Sequence, residues 1–135
     1  MIDAPPAPPT VMVVDDSPTI LMSARQFLEP TYTVVTVKDG FAALAAIEEV
    51  RPDLLLLDIM MPHLDGYHVA LALRQHPDFE TLPIVILSAR DSPFDKARCA
   101  LIGCDDYLTK PFERDTLLAK IGDMLARTPA ADVYT

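Results

Sequence analysis

Three short apolar runs, Val11–Val14, Leu54–Leu57 and Ile84–Leu87, contain no polar residue to turn toward water. A half-buried strand alternates apolar with polar, whereas an unbroken run of this length fits a strand covered on both faces, as in a parallel sheet layered between helices. Each run ends on a reactive polar group: the first on Asp15 and Asp16, the second on Asp58, the third on Ser88. A fourth, shorter run, Tyr107-Leu108-Thr109, ends on Lys110. In an open parallel sheet the strand C-termini share one edge, and ligands bind in the crevice there. These carboxylates, the hydroxyl and the ammonium are therefore expected in one pocket, able to hold a divalent cation and a phosphoryl group.

Between these runs the signals are helical. Ser17-Pro18 and Ser92-Pro93 each set a hydroxyl cap before a proline at the first helical position. Ile20, Ala24, Phe27 and Leu28 follow at helical spacing, and Pro30 stops that helix. Thr33–Val37 is β-branched throughout and suits an edge strand. Gly40 precedes a helix with Phe41, Leu44 and Ala45 on one face. Gly66 is expected in a turn or first helical turn leading to Leu71, with His76-Pro77 closing that helix. After Ser92-Pro93 the residues expected inward are Ala97, Ala100 and Leu101, and Gly103 ends the helix. Leu117, Leu118, Ile121 and Leu125 mark the last one. This alternation predicts an α/β fold, a doubly wound five-stranded parallel sheet of flavodoxin-like type with helices on both faces. The strand order 2-1-3-4-5 is the expected one, although periodicity alone does not select it.

A length of 135 residues allows one domain with a real core. Pro5, Pro6, Pro8 and Pro9 among alanines mark residues 1–10 as a disordered lead, residues 11–127 as the domain and residues 128–135 as a flexible tail, hence a stand-alone module. The net charge of -9 argues against nucleic acid or an anionic membrane as partner. Arg90, Lys96, Arg98, Lys110, Arg114, Lys120 and Arg127 gather in the last third, which reads as a solvated face, with a docking face for an acidic partner as the alternative. Neither a signal peptide nor an apolar stretch of spanning length is present, so a cytoplasmic protein is expected. Cys99 and Cys104 lack metal or redox spacing and read as two buried thiols in a reducing compartment. His63, His68 and His76 show no ligand pattern, and Met60-Met61 reads as loop packing.

The residue types fit phosphoryl chemistry on their own terms. Mg²⁺ takes oxygen ligands in octahedral geometry, and crowded Asp15, Asp16 and Asp58 would repel one another until a cation relieves them. Asp16 is the candidate for direct ligation, with Asp15 acting through water. A carboxylate can attack phosphorus to give an acyl phosphate. Lys110 and Mg²⁺ would supply the positive charge that the transferring group needs.

In order, Asp15-Asp16, Asp58, Ser88 and Lys110-Pro111 resemble the full motif set of bacterial two-component response-regulator receiver domains, across roughly residues 10–126. The stretches VMVVDDSPTI, DIMMPHLDGY, SPFDKAR and DYLTKPF resemble more narrowly the single-domain regulators of type IV pilus twitching-motility (PilG-like) chemosensory systems and their phototaxis relatives. The resemblance implies that Asp58 is the phosphoacceptor, charged by a sensor histidine kinase of chemosensory type. It implies that the Met60 backbone carbonyl completes a Mg²⁺ site with Asp15, Asp16 and Asp58. Ser88 and Lys110 would contact the phosphoryl group, and Ala89 would keep bulk away from it. The Lys110-Pro111 bond would be cis, and Tyr107 would be the switch aromatic that turns inward as Ser88 moves. A protein effector would dock at the face around Tyr107, and the chain would be a monomer or weak dimer.

In the fastest-hydrolysing relatives, polar side chains two residues past the acceptor and two past the hydroxyl residue position the attacking water. Here those places hold Met60 and Arg90, so a long-lived phosphoprotein is expected. A haloacid-dehalogenase-type phosphatase would need an acid where Met60 stands. A flavin carrier would want a Ser/Thr-rich loop where Asp15-Asp16 stand. A phosphorylation-independent interaction module remains an alternative.

Overall fold

The computed structural model describes residues 7–90 and 92–127. Among these residues five strands and five helices alternate: β1 (Thr10–Val14), α1 (Pro18–Leu28), β2 (Thr33–Val37), α2 (Gly40–Val50), β3 (Leu54–Asp58), α3 (Gly66–Arg74), β4 (Ile84–Ser88), α4 (Pro93–Ile102), β5 (Asp106–Thr109) and α5 (Arg114–Ala126). The strands form one parallel sheet in the order β2-β1-β3-β4-β5, the doubly wound order expected. The proline-rich lead falls largely, and the C-terminal tail wholly, outside the described residues. Among the described residues no helix is long and apolar enough to cross a membrane.

The unbroken apolar runs are explained by two cores. Met12, Val14, Leu55, Leu57, Ile84 and Ile86 meet Ala43 and Ile47 of α2, Val69 and Leu73 of α3, and Cys99 of α4. Val11, Val13, Leu54, Leu56, Val85 and Leu87 meet Ala24 and Leu28 of α1 and Leu117, Ile121 and Met124 of α5. Successive residues of a strand point to opposite faces, so both faces must be apolar. Helix starts follow the cap chemistry: Ser17 Oγ accepts the Ile20 N–H at 3.3 Å and Ser92 Oγ that of Asp95 at 3.4 Å. Asp39 and Asp65 do the same for α2 and α3, at 2.7 and 3.0 Å.

Two helix faces differ from the sequence expectation. In α2, Phe41 and Ala45 are exposed, and Gly40, Ala43 and Ile47 are the buried residues. The helix approaches α3 so closely that a Cβ at Gly40 would lie 2.8 Å from Val69 Cγ2 and 2.9 Å from the Leu64 carbonyl oxygen. The small residues therefore decide which face goes inward. In α4, Ala97, Ala100 and Leu101 face solvent, and the buried residues are Asp95 and Cys99. Cys99 Sγ donates to the Asp106 carbonyl at 3.7 Å, which fixes that face against β5. Cys104 is half-buried rather than buried.

Long-range ties hold both ends of the sheet. Gly103 closes α4 at φ 99°, where glycine is favoured. Arg74 of α3 reaches across to this turn, donating to the Gly103 carbonyl at 2.8 Å, the Phe79 carbonyl at 3.1 Å and Asp105 Oδ2 at 2.9 Å. Gly66 opens α3 and donates its N–H to the Ile59 carbonyl at 2.9 Å, folding the chain back on the end of β3. A Cβ there would lie 2.2 Å from the Asp58 carbonyl oxygen, so a side chain is excluded by backbone, not by a movable neighbour. Gly66→Ala is expected to cost more than the ~1–3 kcal/mol typical of overpacking. Gly122→Ala, whose Cβ meets nothing within 4 Å in α5, should instead stabilise by ~0.5–1 kcal/mol. Urea unfolding of both variants checks this, and a Gly66→Ala protein as stable as the parent would refute the packing account.

Candidate functional site

Four strand ends bring the sequence-selected groups to one edge. Asp15 follows β1 and is 0 % exposed, while Asp58 and Ser88 close β3 and β4 and are each 2 % exposed. Lys110 follows β5, its backbone N–H donating to the Ser88 carbonyl at 2.7 Å. The Lys110-Pro111 peptide bond is cis. Lys110 Nζ lies between the two buried acids, donating to Asp58 Oδ1 at 3.0 Å and to Asp15 Oδ2 at 3.1 Å. Backbone donors take further acceptor positions: Ser17 N–H reaches Asp15 Oδ1 at 2.9 Å, and Met60 N–H reaches Asp58 Oδ1 at 3.4 Å. Asp16, the next residue, is exposed.

The electrostatics are set by too many acids for one ammonium. Burial, and then the negative charge of Asp15, push the Asp58 carboxyl up to about 6 against the pull of Lys110. Burial works against the Lys110 charge, but its hydrogen bonds to Asp58 and Asp15 outweigh that and hold it above its ordinary value. One carboxylate oxygen each from Asp15, Asp16 and Asp58 lie within 4.8 Å of one another. Among the described residues this is the one trio of His, Cys, Asp or Glu side chains close enough to share an ion. An all-oxygen donor set, open to solvent on the Asp16 side and short of positive charge, fits Mg²⁺ with part of its water shell.

A second layer surrounds this cluster. Ser88 Oγ accepts the Arg90 N–H at 3.1 Å, and the Tyr107 hydroxyl donates to the Arg90 carbonyl. Both residues singled out as a switch pair therefore grip the same backbone residue. Ala89, between Ser88 and Arg90 in the chain, is exposed and small. The two methionines part company: Met61 is buried in the core, whereas Met60 is 66 % exposed. Met60 and Arg90 share a cleft of about 470 Å³ with Met61, Tyr67, Asp95 and Arg98. His68 pairs with Asp65 at 2.9 Å and His76 with Glu48 at 3.2 Å, and exposed His63 adopts φ 72° in the loop before α3.

Sequence reasoning passed over Asp95. A first-turn acid normally faces water, but its spacing to Cys99 and Ile102 repeats at four and three residues, one helical face. That spacing was the available signal.

Residues 11–122 match the response regulator receiver domain. The chain belongs to that family. It is 44 % identical over 112 residues to Protein PilG of Pseudomonas aeruginosa, covering 82 % of this chain and 83 % of PilG. Against further curated relatives matched at 40–44 % identity, the chain spans only 50–53 % of their length. Among solved structures, the receiver fold superposes on chemotaxis protein CheY4 of Vibrio cholerae with a TM-score of 0.84 at 32 % identity, covering 87 % of this chain and 99 % of CheY4. It superposes on the receiver domain of the sensor histidine kinase PA1611 of Pseudomonas aeruginosa with a TM-score of 0.81 at 30 % identity, covering 89 % and 99 %. That structure has a magnesium ion coordinated in its active-site cleft.

The raised Asp58 carboxyl carries a stability consequence. It titrates near 3.8 when unfolded and at about 6 in the fold, so between these values the folded state holds the extra proton. Stability of the metal-free receiver therefore falls as pH rises through that window, and ionised Asp58 is a burden at pH 7. Asp58→Asn is expected to raise the melting temperature at pH 7 and to lose that advantage as pH drops toward 4. Calorimetry across this range in the presence of a chelator reads it; a variant that melts no higher at pH 7 would show that Lys110 fully neutralises the site.

Proposed function

We propose that this receiver domain is a phosphorylation-driven switch that takes a phosphoryl group on Asp58 from a phosphohistidine of a sensor histidine kinase. The observation that carries the reading is a buried carboxylate whose two hydrogen bonds both fall on Oδ1, beside a lysine ammonium and an acidic trio. Among the described residues Oδ2 accepts no hydrogen bond and is the oxygen available to attack phosphorus. The O–P bond forms as the donor's P–N bond breaks, and the imidazole leaves with the electron pair. Lys110 then neutralises phosphoryl oxygen charge in place of carboxylate charge, and Ser88 hydrogen-bonds the group. Asp15, Asp16, Asp58 and the Met60 carbonyl would hold Mg²⁺, which when bound neutralises further charge on the phosphoryl oxygens.

The output is protein binding at the face around Tyr107 by a cytoplasmic monomer or weak dimer, in a chemosensory or type IV pilus motility pathway. Likeness to PilG over most of both chains supports that pathway. Residues 11–127 act as the receiver unit. An aspartyl-phosphate phosphatase is disfavoured because Met60 offers no acid two residues past Asp58. The competing reading is an interaction module indifferent to phosphate.

Acetyl phosphate with Mg²⁺ should add one hydroxylamine-labile phosphoryl group to the parent chain and none to Asp58→Asn. Asp16→Asn should weaken Mg²⁺ binding, and Asp58→Ala should nearly abolish it, both followed by NMR titration. Phosphate found on Ser88 or a histidine, or Mg²⁺ affinity unchanged in both variants, would overturn the assignment. Phosphorylation with no change in partner capture would favour the indifferent module.

Met60 is the residue proposed to tune lifetime. A thioether is too weak an acceptor to orient water, and Arg90 offers no base. Met60→Asn is expected to shorten the life of the acyl phosphate severalfold, read as phosphate decay after donor removal. Slower or equal decay in the variant would mean that another group positions the water.

A further inference from the structure

Asp95 is a carboxylate in the wrong place for an ordinary first-turn acid. An acid near a helix N-terminus is favourable, but an exposed one serves as well. The Asp95 side chain is only 4 % exposed, and its Oδ2 has no hydrogen-bond partner among the described residues. Burying a carboxylate oxygen without a hydrogen bond is costly. Its compensation is a single ion pair: an Arg90 Nη atom stands 3.2 Å from Oδ2, out of hydrogen-bond alignment. Arg98, the other arginine of the cleft, lies over the Tyr67 ring at 4.2 Å. The backbones around the pair are fastened, with the Tyr67 hydroxyl donating to the Asp95 carbonyl at 3.1 Å and Ser88 and Tyr107 holding the Arg90 peptide groups. The Arg90 side chain itself is 67 % exposed, so it is the movable partner. It opens on the same cleft as Ile59 and Met60, the residues that follow Asp58.

We infer that Asp95 is a positioning residue that competes with the phosphoryl group for Arg90. In the resting chain the guanidinium neutralises Asp95. When Asp58 is phosphorylated, a dianion with three acceptor oxygens offers the planar guanidinium a better, bidentate partner than a misaligned carboxylate. Arg90 then leaves Asp95, which stays behind as a buried, unpaired charge at the start of α4. The chain thus sets its own threshold: binding at Asp58 must exceed the loss at Asp95. The inference rests on Asp58 being the acceptor.

The test uses the full chain, Mg²⁺ and beryllofluoride as phosphoryl mimic, with Asp95→Asn, Arg90→Gln and the double variant. Asp95→Asn is expected to bind beryllofluoride severalfold more tightly than the parent and Arg90→Gln more weakly. In the double variant the gain should vanish, because Asp95 acts only through Arg90. In the parent chain the Arg90 Nε resonance should shift on beryllofluoride binding while that of Arg98 stays. A gain from Asp95→Asn that persists without Arg90 would make Asp95 merely structural and overturn the inference, as would an unmoved Arg90 resonance. The resonance test needs no variant, so it stands even if Asp95→Asn does not fold. Beryllofluoride failing to bind the parent chain would overturn the Asp58 assignment and the inference with it, whereas binding without movement of Arg90 overturns the inference alone.

Discussion

The Lys110 ammonium between Asp15 and Asp58 is the contact on which the site end of the sheet depends. Those partners are 95 and 52 residues away along the chain, so the contact exists only when β1, β3 and β5 share one edge. Two buried carboxylates at that edge could not both be ionised without a cation. The lysine supplies one charge, which does not offset burial and the negative charge of Asp15, so the Asp58 carboxyl still sits at about 6. The resting fold is complete enough to be stable and incomplete enough to favour added positive charge. A divalent cation would meet that need directly, which supports the proposed phosphoryl transfer to Asp58.

The backbone at this edge is fixed by features with no chemistry of their own. Gly66 has no left-handed conformation to explain it; the absent side chain lets α3 begin against the Asp58 carbonyl. The left-handed residue in that loop is His63. The Arg74 guanidinium ties the end of α3 to the turn entering β5, the strand that delivers Lys110. The strands that carry Asp58 and deliver Lys110 are thus positioned from the opposite end of the molecule as well as across the sheet.

How much of this was legible in the sequence depended on how strongly burial constrained each element. The central strands could be read because both faces are covered, leaving Leu54–Leu57 no alternative pattern. The groups closing them could be read because parallel strands deliver their ends to one place. The helices were less legible. Phe41 and Leu101 are large and apolar yet exposed, while Gly40 and Asp95 are small or charged yet buried. A count of apolar residues points the wrong way where close approach or an ion pair, rather than hydrophobic area, selects the inward face. Strand order left no periodic trace, since any order of covered parallel strands gives the same runs.

The misread face of α4 is also where site and surface meet. Its inner side carries Asp95 and Cys99, and its outer side carries Leu101, 88 % exposed, with Phe94, 72 % exposed, in the first turn. A helix of 10 residues with continuous backbone hydrogen bonding shifts as a body rather than residue by residue. The Asp95–Arg90 pair reaches the inner side near its start, and the Cys99 thiol pins the same side to β5. Loss of the first restraint with the second retained would leave the helix held by Cys99 at its middle and by the Tyr67 hydroxyl on the Asp95 carbonyl. The Phe94 end lies directly beyond the loop that Ser88 and Tyr107 hold through Arg90. In the proposed reading, a charge change at Asp58 reaches this helix through Arg90 and Asp95 rather than through either core.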